Sequence, residues 1–172
     1  MAVSEENIQL RALEPGDLDV LYLWENDPEV WRVSETIAPV SQHTLSAFIR
    51  RQSYDLLKDR EMLLIIDVDR VAVGCVEIFD FEPLHRRFGL GILIYGQEHR
   101  RKGYARRVVE MVKSYARNDL GLKQIWVNID EDNPASIALF ESCGFVLSGR
   151  RKEWINRGGR FVDELEYQCI FE

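Results

Sequence analysis

The sequence predicts a single α/β domain, residues 1–172, built on a mixed and mostly antiparallel sheet of six to seven strands with helices on both faces. The length of 172 residues suits one domain with a substantial core. Along the chain the apolar residues switch between the period of a strand and the period of a helix. The predicted elements follow in the order β-α-α-β-β-β-α-β-α-β-β, which is typical of such a mixed sheet.

The first part of the chain is predicted to form one strand and two helices. Residues 8–11 alternate between apolar and polar side chains, and a turn signal follows at residues 14–17. Asp17 is expected to cap a first helix that contains Trp24, and Ser41 is expected to cap a second helix that extends to Leu57.

Three strands and a long helix follow. The strands are predicted over residues 62–68, 71–81 and 88–95. The helix is expected from Tyr104 to about residue 118, because its apolar side chains form one continuous stripe. The stripe consists of Ala105, Val108, Val109, Val112 and Ala116.

The last third is predicted to add a strand, a helix and a long hairpin. The strand covers residues 124–129, and the helix covers residues 133–143 with Gly144 at its C-terminal cap. Two strands, residues 145–155 and 161–171, flank a turn rich in glycine. One face of the last strand is expected to carry Phe161, Leu165, Tyr167, Cys169 and Phe171.

The overall charge excludes some classes of partner. The chain has 22 basic and 29 acidic residues, so its net charge is -7, which argues against nucleic acid and against anionic lipid. No apolar stretch approaches the roughly 18 residues that span a membrane, and residues 1–6 lack the features of a secretory signal. The expected location is therefore the cytoplasm.

The cysteines and histidines do not suggest a metal site. Cys75, Cys143 and Cys169 each lie in an apolar segment, and the three histidines are scattered. Reduced, buried thiols and no bound metal are therefore expected.

The segment between the fourth strand and the following helix carries the strongest chemical signal. The N-terminus of a helix binds anions through its free N–H groups and its partial positive charge. Gly103 allows a ligand to approach the backbone closely, and Arg100, Arg101 and Lys102 add positive charge. A diphosphate is the natural ligand of such a turn, although a solvated basic turn is also common. The segment matches neither the P-loop nor the dinucleotide fingerprint, which argues against nucleotide hydrolysis and hydride transfer.

With these residues the chain resembles the GNAT family of N-acetyltransferases, and within it the ribosomal-protein and polyamine acetyltransferases. The acetyl-CoA loop of that family, Arg/Gln-x-x-Gly-x-Gly/Ala, is matched by Arg100, Gly103 and Ala105. A second signature, an asparagine before a helix that closes in Gly-Phe, is matched by Asn133 and by residues 144–145. The hairpin of residues 153–163 is similar to the final hairpin of the same branch. The resemblance covers almost the whole chain.

The resemblance implies that strands four and five splay apart and that the pantetheine arm of acetyl-CoA enters the V between them. Backbone contacts to this arm are implied from Leu93, Ile94 and Tyr95, with a register uncertainty of one residue. The other implied cofactor residues are Arg100, Arg101, Lys102, Gly103, Tyr104, Ala105, Asn133 and Phe140. Core packing remains an alternative role for Ile94, and helix capping remains one for Asn133.

The implied reaction is direct attack of a primary amine on the thioester within a ternary complex. Glu77 is the candidate catalytic base or water anchor, the alternative being a polar residue on the solvent face of a strand. Phe140 stands where many relatives have a tyrosine that protonates the leaving thiolate. Water or another hydroxyl could supply that proton, or the thiolate could leave unassisted. A non-catalytic acyl-CoA-binding module and an unrelated α/β nucleotide-binding protein are the alternative functions.

The acceptor remains open between a polyamine, a protein N-terminus and a small-molecule amine, and a homodimer remains open as well. Acidic residues gather where the resemblance places the acceptor cleft, and Trp24 and Trp31 among them could stack against an alkyl or cationic chain. The alternative is that these acidic residues are exposed loop and strand-face charges with no ligand. The acidic residues are Glu25, Asp27, Glu29, Glu35, Glu77, Asp80 and Glu82.

Overall fold

The computed structural model describes residues 7–34 and 36–172. The expectations for Glu35 and for residues 1–6 lie outside the described residues. The strands are Ile8–Ala12 (β1), Met62–Val68 (β2), Val71–Glu82 (β3), Arg87–Ile94 (β4), Gln124–Asp130 (β5), Val146–Arg157 (β6) and Arg160–Ile170 (β7). The α-helices are Leu18–Glu25 (α1), Pro28–Ser34 (α2), Gln42–Arg51 (α3), Leu56–Asp59 (α4), Tyr104–Ser114 (α5) and Pro134–Ser142 (α6).

All seven strands form one sheet in the order β1-β2-β3-β4-β5-β7-β6. Every neighbouring pair is antiparallel except β4 and β5, which are parallel. The β4–β5 pairing covers only residues 87–89 and 124–126, after which the two strands diverge. The predicted mixed sheet and its splay between strands four and five are confirmed.

Helices cover both faces of the sheet. On one face α5 and α6 pack Val108, Val109 and Phe140 into a core shared with Phe88 and Ile125. On the other face α1 and α3 pack a smaller cluster against β2. That cluster contains Leu21, Trp24, Leu45, Ile49 and Ile65. Among the described residues, no helix is both long enough and apolar enough to cross a membrane.

The helices between β1 and β2 differ from the prediction. Among the described residues of this region four α-helices are present instead of two, because α2 begins separately at Pro28 and α4 begins after Asp55. The predicted cap at Ser41 is confirmed, since its side chain accepts the backbone N–H of Thr44 at 3.1 Å.

The predicted cap at Asp17 is wrong. Its carboxylate accepts two hydrogen bonds from the guanidinium of Arg11, each 2.7 Å long, and the backbone N–H of Glu14 at 2.8 Å. A charged donor from β1 therefore takes the oxygens that would otherwise cap α1, and Asp17 is buried.

The final hairpin turns at Gly158 and Gly159, which have φ angles of 65° and 98° that favour glycine. On β7 the predicted apolar face is only partly correct. Phe161 is exposed, whereas Val162 is buried opposite Ile155. A register shift in β6 between Arg151 and Ile155 accompanies this change of face.

Candidate functional site

The V between β4 and β5 exposes one edge of the β4 backbone. The N–H of Tyr95 donates to the carbonyl of Val73 on β3 at 2.8 Å. Because antiparallel pairs alternate, the odd-numbered residues of β4 direct their polar groups to β3, and the even-numbered residues direct theirs towards β5. Beyond the last pair with β5, which joins Gly89 and Trp126, the groups that face the V therefore belong to Leu90, Ile92 and Ile94.

The predicted backbone contact from Ile94 is therefore compatible with the register, and its side chain also packs against the core. For Leu93 and Tyr95 the predicted contact stays a prediction, and the register favours Ile92 in their place. The sequence alone does not tell which residues of β4, even- or odd-numbered, face the V. One known β3–β4 pair would have been enough to decide it.

The loop after β4 brings the predicted diphosphate residues together at the N-terminus of α5. A short 3₁₀ turn, Gln97–His99, leads into a segment in which Arg101 and Gly103 have φ angles of 61° and 82°. The first helical bond runs from the N–H of Arg107 to the carbonyl of Gly103 at 3.1 Å. The N–H groups of Ala105 and Arg106 belong to the turn ahead of that bond and point out of the helix end.

The side chains of this loop differ in how far they are available to contact a ligand. The ring of Tyr104 is buried, so only its backbone is suited to contact a ligand, and Lys102 Nζ lies 5.8 Å from the centre of that ring. Arg101 is exposed. Arg100 Nε donates to the carbonyl of Ile94 at 3.4 Å, and its Nη2 lies 3.9 Å from a carboxylate oxygen of Glu29 on α2. A β-carbon placed on Gly103 would have no other heavy atom within 4 Å, so the space beside this glycine is open.

On the other side of the V, α6 places Asn133 and Phe140. The carboxamide oxygen of Asn133 accepts the backbone N–H of Ser136 at 3.2 Å and so caps α6, with Pro134 at the first helical position. Phe140 is only 3% exposed and packs edge-on against Phe145, with ring centres 5.0 Å apart. Both residues therefore have a structural role, and their contacts to the cofactor stay predictions.

Glu77 lies on the opposite face of the sheet, directly beside the start of the V. It pairs with Gly91, and its Oε2 lies 3.8 Å from the position that a β-carbon at Gly91 would take. The surrounding protein removes water from one side of the carboxylate, and the charges of Glu61 and Glu25 lie nearby. These effects, partial burial first, raise the pKa of Glu77 above its ordinary value, although the residue as a whole is exposed to solvent.

Two neighbouring groups, the Cys75 thiol and the Glu25 carboxyl, also have raised pKa values. Burial, with the charges of Glu25 and Glu77, raises the pKa of the Cys75 thiol to about 12. Burial also raises the pKa of Glu25. Three carboxylates from different elements, Glu25 on α1, Glu61 before β2 and Glu77 on β3, therefore lie near one another beside the start of the V.

A profile of the acetyltransferase (GNAT) domain matches residues 7–146 of this sequence. The chain belongs to the GNAT acetyltransferase family. A spermidine N(1)-acetyltransferase of Vibrio cholerae is 28% identical over 91% of this chain and 88% of its own length. The Escherichia coli K12 protein of the same name is 24% identical over 98% of this chain and 88% of its own.

Solved structures agree with this assignment. A spermidine N-acetyltransferase from Vibrio cholerae, in complex with CoA and spermine, superposes with a TM-score of 0.85. It is 26% identical and covers 95% of both chains. The predictions of an N-acetyltransferase and of acetyl-CoA as its co-substrate are confirmed, and the unrelated nucleotide-binding protein is excluded.

The predicted acceptor lining of this acetyltransferase needs correction. Trp24 is 2% exposed and stacks in the core against Tyr95, with ring centres 5.7 Å apart, so it is not placed to contact a substrate. The pair Leu21 and Trp24, one turn apart on α1, is the signal that could have placed it inside. Trp31 is half-buried, and its indole N–H donates to the carbonyl of Glu25 at 2.6 Å.

The predicted acidic residues fall into two groups. Asp27 lies near the Tyr95 hydroxyl, whose pKa is raised by burial and by this carboxylate, and Glu29 lies near Arg100. Asp80 and Glu82 instead line a separate open cavity of about 610 Å³ around Trp126. That cavity also contains Arg60, Arg87 and Arg151, so its lining carries both signs of charge.

Sequence reasoning missed a cluster of ion pairs at the outer end of β5. Arg157 on the hairpin contacts Asp130 and Asp132, and Arg160 contacts Asp132. Three acidic residues directly before Asn133 and two arginines around a Gly-Gly turn are the signal that was available. In residues 7–34 and 36–172, no three His, Cys, Asp or Glu side chains converge in a way that could hold a metal ion.

Proposed function

We propose that this N-acetyltransferase acetylates a primary amine of a polyamine, which attacks the thioester of acetyl-CoA directly in a ternary complex. The names of the Vibrio cholerae and Escherichia coli relatives support a polyamine as the acceptor. The complex of the Vibrio cholerae enzyme with CoA and spermine supports it further.

In this proposal acetyl-CoA lies along the V. The N-terminus of α5, with Arg100 and Gly103, binds the diphosphate, and the backbone of Ile92 and Ile94 binds the pantetheine arm. The thioester then lies close to Gly91, with α6 behind the sulfur. Backbone N–H groups that face the V are suited to polarise the thioester carbonyl.

The position of the Glu77 carboxylate beside Gly91 is the observation that carries the proposal. An alkyl ammonium group with a pKa of about 10.4 must lose its proton before attack, which costs roughly 4–5 kcal/mol at pH 7. A carboxylate attracts this cation and accepts its proton directly or through a water. The raised pKa of Glu77 makes it a stronger base than an ordinary glutamate.

The buried ring of Phe140 is the observation that favours the alternative, an acyl-CoA-binding module with little catalysis. Phe140 has no hydroxyl to protonate the thiolate. A thiol with a pKa of about 8.5 is a tolerable leaving group, however, so the reaction does not depend on an acid at this position.

The test is the rate of acetyl-CoA consumption with spermidine, with a peptide that has a free N-terminus, and without an amine. A polyamine enzyme will prefer spermidine, and salt will weaken that preference, because the Debye length falls from about 30 Å at 0.01 M to about 3 Å at 1 M. Faster acetylation of the peptide, with no effect of salt on the ratio, would overturn the polyamine. Binding of CoA without consumption of acetyl-CoA in any arm would favour the binding module.

We also propose that the chain assembles from several copies. A Vibrio cholerae spermidine N-acetyltransferase is described as dodecameric. Light scattering coupled to size exclusion measures the mass of this protein in solution, and a monomeric mass would contradict the proposal.

A further inference from the structure

We infer that Arg157 is a positioning residue for acetyl-CoA, acting through the turn that connects β5 to α6. It lies on the final hairpin, and its guanidinium bridges two carboxylates of that turn. Its Nη2 donates to Asp130, and its Nε lies 3.5 Å from Asp132 Oδ2. The side chains of Arg157, Asp130 and Asp132 are only 18%, 19% and 22% exposed.

The bridged turn is short and leads directly to the predicted cofactor residue Asn133. The N–H of Asn133 donates to the carbonyl of Asp130 at 2.9 Å, which closes the turn. The N–H of Glu131 donates to the carbonyl of Asp163 on β7 at 3.0 Å. The two carboxylates held by Arg157 therefore flank the backbone that sets where α6 begins.

This turn also ends the outer arm of the V. β4 and β5 pair only over residues 124–126 of β5, so the rest of β5 is held on its other side by β7. Arg157 adds a side-chain hydrogen bond from the final hairpin to Asp130, the last residue of β5. The width of the V near Asn133 therefore depends on this guanidinium.

Arg160, on the other strand of the same hairpin, is a natural control. Its Nη2 lies 3.6 Å from the same Asp132 oxygen, but its side chain is 72% exposed. Exposed ion pairs of this kind contribute little, whereas partly buried charge-assisted contacts are stronger. Removing Arg160 keeps the bridge between Asp130 and Asp132, and removing Arg157 does not.

The test compares Arg157→Met, Arg157→Lys and Arg160→Met by calorimetric titration with CoA, without any amine, and by thermal unfolding. We expect Arg157→Met to raise the Kd for CoA about tenfold or more and Arg160→Met to leave it within about twofold. Arg157→Lys keeps the charge but not the fork of donors, so its Kd will fall between the two. Steady-state assays on the folded variants will show the loss in KM for acetyl-CoA more than in kcat.

A purely structural role would give a different pattern. In that case Arg157→Met lowers the melting temperature while the folded protein binds CoA with the affinity of the native chain, and the proposal is wrong. It is also wrong if Arg160→Met weakens CoA binding as much as Arg157→Met. If Arg157→Met does not fold, Asp130→Asn removes the carboxylate that accepts from Arg157, leaves the contact between Arg160 and Asp132 in place, and must raise the Kd by itself. Since CoA binding is measured without an acceptor, the result does not depend on which amine is acetylated.

Discussion

The ring of Phe79 occupies the volume that a side chain at Gly89 would need. A β-carbon at Gly89 would lie 2.4 Å from Cε2 of Phe79 and 2.6 Å from its Cζ. Phe79 in turn packs edge-on against Trp126, with ring centres 5.1 Å apart. Gly89 and Trp126 form the last β4–β5 pair, so these three residues define where the V begins.

Gly89→Ala is therefore expected to destabilise the protein by about 1–3 kcal/mol, because the Phe79 ring must move against Trp126. Gly91→Ala is the matched control on the same strand, since the nearest atom lies 3.8 Å from its β-carbon position. Urea unfolding measures both variants. Equal stability of the two would show that the ring is free to move.

Gly103→Glu is expected to abolish CoA binding, because the new carboxylate would repel the diphosphate at the N-terminus of α5. An L-residue at φ 82° also adds backbone strain of about 1–2 kcal/mol. Gly121→Glu has a similar strain at φ 59° and places the charge elsewhere, so it serves as the control. Calorimetry that finds native affinity in Gly103→Glu would refute the diphosphate assignment.

Glu77→Gln is expected to lower kcat by about 10²–10⁴-fold if Glu77 is the base. A base acts when it is deprotonated, so kcat/KM of the native enzyme will fall as the pH falls through the raised pKa of Glu77. Glu61→Gln removes a negative charge that raises this pKa and should move the acidic limb to lower pH, with kcat preserved. An acidic limb that survives in Glu77→Gln would assign the titration to another group.

Phe140→Tyr is expected to raise kcat with little change in the KM for acetyl-CoA, provided that protonation of the thiolate limits the rate. The hydroxyl enters a buried site, so the protein should lose about 1–3 kcal/mol of stability if the group finds no partner. Phe145→Tyr, which changes the other ring of the pair, is the control for packing alone. An unchanged or lower kcat would mean that another donor exists or that chemistry is not limiting.

Asp17→Asn is expected to cost about 1.5–3 kcal/mol at pH 7, because Arg11 loses one of its two charged acceptors and keeps only Asp67. Burial alone would raise the pKa of Asp17, but the bonds from Arg11 and from the Glu14 amide lower it below its ordinary value. The stabilisation is therefore present above the ordinary pKa of about 3.9 and is lost as the pH falls through the lower folded pKa. Unfolding at pH 7 and pH 3 should show the native protein and Asp17→Asn converging in acid. Asp19→Asn, an exposed neighbour on α1, should change little at either pH.

The sequence predicted those features that depend on local patterns. The strands around residues 62–94 and the stripe on α5 follow from the periods of apolar residues, and the cap at Ser41 follows from local hydrogen bonding. The start of α2 could also have been predicted from the sequence, because an aspartate followed by proline is typical of a helix start. In the structure Asp27 accepts the N–H of Glu29 at 2.8 Å, and the helix begins at Pro28.

Other features depend on contacts between distant parts of the chain. Aspartate is a residue type that commonly caps helices, yet the tertiary contact with Arg11 decides the role of Asp17. Whether the even- or the odd-numbered residues of β4 direct their backbone groups into the V follows only from the register between β3 and β4. The bridge from Arg157 to Asp130 joins residues 27 positions apart, so the sequence shows the acidic residues and the arginines but not which of them pair.

Tyr95 bears on how this enzyme could change its acceptor during evolution. It directly follows β4, while its ring contacts Trp24 on α1 and its hydroxyl reaches Asp27 ahead of α2. A mutation that reshapes the α1–α2 corner for a new amine will also disturb the end of the strand proposed to bind pantetheine. Variants that adapt to a new acceptor should therefore show epistasis with substitutions at Tyr95, and laboratory selection would have to accept both changes together.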